Sequence, residues 1–283
     1  MTSPPPGSQS QRMLQLLDYP FFVSAIIGVV LISISAAMIG TYIITRRLVA
    51  ISGGVTHACF GGLGLGYFLG LNPVAMAAVF AVGSSLGVEW ASSRFRLRED
   101  SAIAVIWALG MAIGVLFVFM SPGYVPELNS FLFGNILTIS HGDLWSFAVF
   151  TLLLCGFFAW KYKQIIACAF DRDFARVIGL PTRFITYTMT VFVAVCIVLT
   201  IRLVGVMLLM SMLSLPIMTA EVFTRRYGAM MAVSVGVSVV CSLAGLFIGA
   251  LADVPCSAFI VLINAAIFLL AKVGMMAFRR DRG

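Results

Sequence analysis

The chain has 283 residues, of which 61% are hydrophobic and only 10% charged, a balance that no soluble domain of this length needs to fill its core. The formal net charge of +7 does not imply a nucleic-acid partner, because in so apolar a chain the placement of basic residues matters more than their sum. The composition is that of a polytopic membrane protein. Apolar runs of about 20 residues, enough to cross a hydrocarbon core of roughly 30 Å as a helix, recur along almost the whole length. Helices are required because lipid cannot satisfy free backbone groups. A transmembrane barrel would alternate apolar and polar positions, whereas Ala102–Met120 and Ile185–Thr200 are continuously apolar.

In chain order, residues 1–18 read as a disordered tail. They contain Pro4 to Pro6 and several Ser and Gln, and Arg12 is their only basic residue, too little for a signal n-region. The run Pro20–Thr45 is longer than a signal h-region and reads as a retained span. Sixteen of the eighteen Lys and Arg residues then fall into five groups: Arg46 and Arg47; Arg94, Arg96 and Arg98; Lys161, Lys163, Arg172, Arg176 and Arg183; Arg225 and Arg226; Lys272, Arg279, Arg280 and Arg282. The positive-inside rule makes these groups cytoplasmic.

Each gap between successive groups must leave the cytoplasm and return, so each holds a helical hairpin. The halves are Val55–Leu71 with Val74–Ser92, Ser101–Met120 with Leu144–Trp160, Phe184–Thr200 with Leu203–Phe223, and Gly228–Leu251 with Ser257–Met275. Nine spans result, or eight if the Gly-rich second span is broken or only partly inserted. The N-terminus is then outside and the C-terminus inside. Outer turns fall at Asn72-Pro73, Ser121–Asp143, Ile201-Arg202 and Ala252–Pro255. Residues 19–283 make a single transmembrane domain.

The second span, from Ile51 to Gly70, is the most unusual stretch. Gly62, Gly66 and Gly70 repeat every four residues, which lets another helix backbone approach closely. His57 lies in its cytoplasmic-side half, and an ionisable residue at membrane depth is a functional candidate. A neutral, hydrogen-bonded packing histidine fits the position as well as a ligand does. Imidazole is a common ligand for first-row metals, and in a twofold dimer with this helix near the axis two copies of His57 can serve one ion. Cys59 points about 200° away on the same helix and stays out of that site.

Between Lys161 and Arg183 the stretch Phe170-Asp171-Arg172-Asp173-Phe174-Ala175-Arg176-Val177-Ile178-Gly179-Leu180-Pro181 reads as one short helix. Asp171 caps it and Gly179 followed by Pro181 stops it. Phe174, Val177 and Ile178 share one face, with Arg172 and Arg176 elsewhere. About 13 Å of helix cannot cross a bilayer, so it lies across the cytoplasmic face. The pattern leaves open an interfacial helix resting on lipid or a coupling helix seated in an ATPase.

Ion pairs with Arg94 and Arg225 are expected for Glu89 and Glu221. Pro216 is expected to kink its span. Six cysteines (Cys59, Cys155, Cys168, Cys196, Cys241, Cys256) without a CxxC pair read as reduced, small apolar residues. The fifteen methionines read as flexible packing. No GxxxxGK[ST] loop occurs, so any nucleotide hydrolysis belongs to a partner.

From about Pro20 to Met275 these features together resemble the permease family of bacterial ABC importers for zinc, manganese and iron(II). The signposts, in order, are Arg46-Arg47 followed by Ser52-Gly53-Gly54-Val55-Thr56-His57-Ala58, then Leu69-Gly70-Leu71-Asn72-Pro73, Leu97-Arg98-Glu99-Asp100-Ser101-Ala102-Ile103, and Leu132-Phe133-Gly134-Asn135-Ile136-Leu137. They continue with Phe170 to Ala175 leading to Gly179-Leu180-Pro181, and Val204-Gly205-Val206-Met207-Leu208-Leu209 leading to Pro216. The resemblance implies an all-α, type II importer-like bundle in the bacterial inner membrane, working as a homodimer among membrane lipid. It implies two cytoplasmic ATPase subunits that use ATP, and an extracytoplasmic metal-binding protein that delivers a divalent metal ion. No cofactor is bound by this chain, and it is not itself an enzyme. The segment Asp171 to Gly179 matches the family's ATPase-coupling segment, which favours docking, and His57 matches the family's metal-site histidine. The family pattern commonly places an Asp four residues before that histidine, where this chain has Gly53, so a metal chelate stands as an alternative substrate.

Two other classes fit less well. An ion-coupled secondary transporter would carry several midplane carboxylates and often inverted repeats, and this chain has few intramembrane acids and no evident repeat. An intramembrane enzyme would need paired catalytic groups, and the two histidines, His57 and His141, lie in different segments.

Overall fold

The computed structural model describes residues 18–95, 97–121, 134, 136, 139–252 and 254–280, which are almost entirely helical. The N-terminal tail, most of the Leu132 to Leu137 signpost and Asp253 lie outside the described residues. The elements are α1 (Pro20–Thr45), α2 (Val49–Leu69), α3 (Pro73–Phe95), α4 (Glu99–Met120), α5 (His141–Phe170), the short α6 (Arg172–Val177), α7 (Thr182–Phe223), α8 (Tyr227–Ala252) and α9 (Cys256–Arg280). All but α6 are long and apolar enough to cross a membrane. The chain is therefore a multi-pass membrane bundle.

Which residues meet gives each helix its direction. Buried hydroxyls tie α1 to its neighbours: Ser35 Oγ lies 2.9 Å from Thr151 Oγ1 of α5, and Ser33 Oγ donates to Ser242 Oγ of α8 at 3.2 Å. With Met38 meeting Cys155 and Thr41 meeting Ser234, α1 runs parallel to α5 and antiparallel to α8. Such hydroxyl contacts act as glue where lipid supplies no hydrophobic drive.

Helix α2 packs backbone to backbone. A Cβ added at Gly62 would fall on Met76 and Ala77 of α3, and one at Gly66 on Pro73; a Cβ at Gly64 would fall on Gly114 of α4, and one on Gly110 of α4 would meet Ala58. Helix α2 is thus antiparallel to α3, parallel to α4, and among the most buried of the long helices. Gly70 differs from the expectation of packing. It has open space where a side chain would go, and at φ 66° it ends α2 as a left-handed C-cap, its N–H and that of Leu71 closing back on Tyr67 and Gly66.

Helix α7 has 42 residues, which as a straight rod would be about 63 Å, twice the hydrocarbon thickness of roughly 30 Å. It does not run straight. Its first residue closely follows α6, and its last turns line a cleft together with Arg46 and Arg172, so both ends lie at one end of the bundle. Its middle lies at the other end, where Arg202 pairs with Asp143 at the start of α5 (3.1 Å). The reversal sits at Gly205, whose φ 80° and ψ 171° break the helix and suit glycine. Gly134, itself at φ 57°, lies against Val204 and Gly205 at this point. Among the described residues eight long helices therefore make nine traversals. Pro216 causes no break, and the turn expected at Ile201-Arg202 is helical.

The stretch from Lys161 to Phe170, beyond the expected end of the Leu144–Trp160 span, is also helical. Helix α5 continues to Phe170 with a kink at Lys161 (φ −112°, ψ 18°), whose ammonium sits 4.1 Å over the Trp160 ring. The apolar residues Ile165, Ile166, Cys168 and Ala169 give the extra turns a face to bury, which charge counting alone overlooks.

Gly62→Val should destabilise the detergent-purified chain by at least about 1–3 kcal/mol through overpacking against backbone. Gly83→Ala, with open space at its Cβ, should be neutral or stabilising by about 0.4–1 kcal/mol. Thermal melting of the two variants side by side checks this.

Candidate functional site

His57 is held on α2, the helix fixed between α3 and α4 by its glycines. Its ring is half-buried and stacks on Trp107 of α4, with centroids 4.6 Å apart and planes 8° from parallel; Phe60 lies 5.9 Å away. Among the described residues its Nδ1 is buried without a hydrogen-bond partner, so the ring packs by stacking and not through the hydrogen bond that the packing alternative supposes. One turn earlier, a Cβ on Gly53 would stand 2.9 Å from Met210 Cε of α7 and 3.6 Å from Trp107 Cζ3. The place of a carboxylate is therefore taken by a thioether side chain and an indole. Among the described residues no group of three His, Cys, Asp or Glu is close enough to hold an ion, so the chain offers His57 with aromatic neighbours. Cys59 turns away, donating to the Val55 carbonyl at 3.1 Å and lining a small cavity with Val198 and Arg202.

At the opposite level from the Arg202–Asp143 pair, the segment Asp171 to Gly179 forms α6. The Asp171 carboxylate accepts from the Phe174 N–H at 2.9 Å, satisfying a first-turn donor, and Gly179 at φ 80° ends the element. Phe174, Val177 and Ile178 are exposed, Val177 at 84%, while Ala175 is fully buried. Asp173 and Arg176 are also exposed, and Arg172 is turned toward the bundle. The helix thus has an outward apolar face and an inward face carrying one cation.

That cation enters a charge cluster that sequence reasoning missed. Arg172 Nη1 contacts Glu89 Oε1 of α3 at 2.5 Å, Arg46 Nη1 lies 3.5 Å from Glu89 Oε2, and Arg46 Nη2 donates to Glu99 Oε1 of α4 at 2.8 Å. The side chains of Arg46 and Glu89 are only 7% and 5% exposed. Glu89 therefore pairs with Arg46 and Arg172, not with its sequence neighbour Arg94. Glu221 is exposed, with no ion pair among the described residues. Arg46 follows the last residue of α1, and Arg47 adopts a left-handed conformation (φ 60°) in the tight turn between α1 and α2. Beside the cluster an open cleft of about 1170 Å³ is lined by Arg46, Glu99, Arg172, Glu221, Arg225 and Lys272, among others.

A bundle of nine traversals with a short, apolar-faced helix at one end and a single histidine on a buried, backbone-packed helix has the construction of a transporter's membrane domain. The chain belongs to the ABC 3 transport family, whose sequence model matches residues 18–275. It is 35% identical over 270 residues to an uncharacterized membrane protein of Synechocystis, covering 95% of both chains. It is 29% identical to a manganese transport system membrane protein of Halalkalibacterium halodurans, covering 91% of this chain and 88% of that one. Among solved structures it resembles a chain of PsaBC from Streptococcus pneumoniae in complex with Fab, at a TM-score of 0.80 and 25% identity over 93% of this chain and 95% of that one.

Arg46→Met would leave Glu89 and Glu99 without their shared partner. Breaking a buried pair from one side should cost about 3–5 kcal/mol. Glu99→Gln, at a carboxylate that is 27% exposed, should cost clearly less. Equal melting temperatures for the two variants in detergent would contradict the cluster's burial.

Proposed function

We propose that this chain is the membrane-spanning permease of an ATP-driven importer of divalent transition-metal ions. The observation that carries the reading is His57, with an unpartnered Nδ1 on the most tightly packed helix of an ABC 3 family chain. Relatives named for manganese and iron transport point to the same class of cargo. The chain works as a homodimer in the bacterial inner membrane, with the α6 end cytoplasmic, the N-terminus outside and the C-terminus inside. Two ATPase subunits seat α6 through Phe174, Val177 and Ile178, and hydrolyse the ATP. An extracytoplasmic metal-binding protein delivers cargo to the other end.

His57 is then a ligand the ion meets during passage, and the stack on Trp107 must open for its ring to turn. Each nucleotide state of the ATPase binds one conformation of the bundle better than the other, which is what shifts access between the two sides. A metal chelate is the second reading. Gly53 favours it, because Met210 and Trp107 stand where a hard oxygen ligand would complete a bare-ion site.

The test is uptake of zinc, manganese and iron(II) into proteoliposomes carrying the chain with its ATPase. ATP-dependent uptake of at least one free ion, lost in His57→Ala, is expected. ATP-dependent uptake of chelates only would favour the second reading, and normal uptake of all three ions by His57→Ala would remove the histidine from the pathway. Phe174→Asp should abolish co-purification of the ATPase, and full retention would contradict docking through α6.

A further inference from the structure

Helix α6 is too short to move the bundle by its own packing, since its closest backbone neighbours are α5 and α7, the elements it joins in the chain. The Arg172 side chain reaches further, to Glu89 near the inner end of α3. Glu89 also holds Arg46, and Arg46 holds Glu99 at the first residue of α4. Four charges from four places in the chain thus bind α6 to the ends of α1, α3 and α4. Helices α3 and α4 are in turn the two that clasp α2 through glycine, with no side-chain cushion at Gly62, Gly64, Gly66 or Gly110. Packed cores transmit displacement instead of absorbing it, so α2, α3 and α4 shift as one body, and that body carries His57.

We infer that Glu89 and Arg172 form a latch through which movement of α6 is carried to the α2–α3–α4 unit. Both are positioning residues for the transport cycle, and the inference rests on the reading of α6 as the ATPase contact. The link is one of charge at close range. The Arg172 contact is a close ion pair without hydrogen-bond alignment, and Arg172 Nε is buried with no hydrogen-bond partner among the described residues. The guanidinium is therefore held by charge from one side and not by a full two-pronged fork, the arrangement that gives arginine–carboxylate pairs their strength. A purely structural role would be served better by well-packed apolar residues, which in buried positions are often as stable as an ion pair.

The complete transporter, this chain with its ATPase subunits in proteoliposomes, is the system for the test, with zinc or manganese ions as the probe, whichever the wild type imports. Arg172→Gln, at a side chain that is 22% exposed, and Glu89→Gln are compared with wild type for ATPase co-purification, ATP hydrolysis and ions imported per ATP hydrolysed. Co-purification should be unchanged, since the outward face of α6 is intact. Ions imported per ATP should fall about tenfold, within the range of coupling between sites, with the double variant no worse than the worse single one. Unchanged ions per ATP in Arg172→Gln would overturn the latch, as would additive losses in the double variant. Should Glu89→Gln not yield folded protein, Arg172→Gln with Arg172→Lys carries the test, because Lys keeps the charge and should restore part of the coupling. Loss of co-purification in Arg172→Gln would overturn the latch in favour of a direct ATPase contact. A Phe174→Asp protein that still binds the ATPase would instead sink the docking reading itself.

Discussion

Helix α2 can sit between α3 and α4 only because Gly62, Gly64 and Gly66 present no Cβ toward Met76, Gly114 and Pro73. Much of the bundle depends on that close approach. It buries a helix of modest apolarity on nearly every side, and it fixes the depth and facing of His57. It also turns three helices into one rigid body. Hydroxyl pairs along α1 and the fold-back of α7 at Gly205 complete the bundle around this unit, and the pair of Arg202 with Asp143 joins the fold-back to the start of α5.

At the other end the problem is charge. Arg46 and Glu89 are buried where lipid or protein surrounds them, and neither is tolerable alone. Their solution, with Arg172 and Glu99 as further partners, joins α6 to α3, to α4 and to the end of α1. The same short helix shows apolar side chains outward and a cation inward, so one element has a face for a partner and a hook into the bundle. His57 lies on the unit that the hook holds. A thioether side chain and an indole, and no carboxylate, stand at the place one turn before it.

Much of this was legible in the sequence because lipid imposes simple rules. Apolar run length and the five basic groups pointed to nine traversals or eight, and the structure draws α7 as one element with its break at Gly205 instead of at Ile201-Arg202. Asp171 and Gly179 marked the ends of α6, and the glycine spacing foretold close packing at Gly62 and Gly66. Gly70 fits the same spacing but ends the helix, since periodicity does not register where a helix stops. The charge cluster could not be read. Glu89 has Arg94 near it in sequence, while its partners Arg46 and Arg172 are brought to it only by tertiary packing. Trp107 and Met210 were equally silent, as apolar residues among many others, until folding placed them around Gly53 and His57.

Helix α6 and the α2–α3–α4 unit are expected to move as one body during the transport cycle. The direct measurement is the spin-label distance between Asp173→Cys on α6 and Ser93→Cys at the inner end of α3, taken on the assembled transporter in nucleotide-free and ATP-trapped states. A second pair, Ser93→Cys with Leu270→Cys on α9, reports movement of that unit against the rest of the bundle. Motion as one body predicts an unchanged first distance with a change in the second. A first distance that changes while the second stays fixed would contradict it.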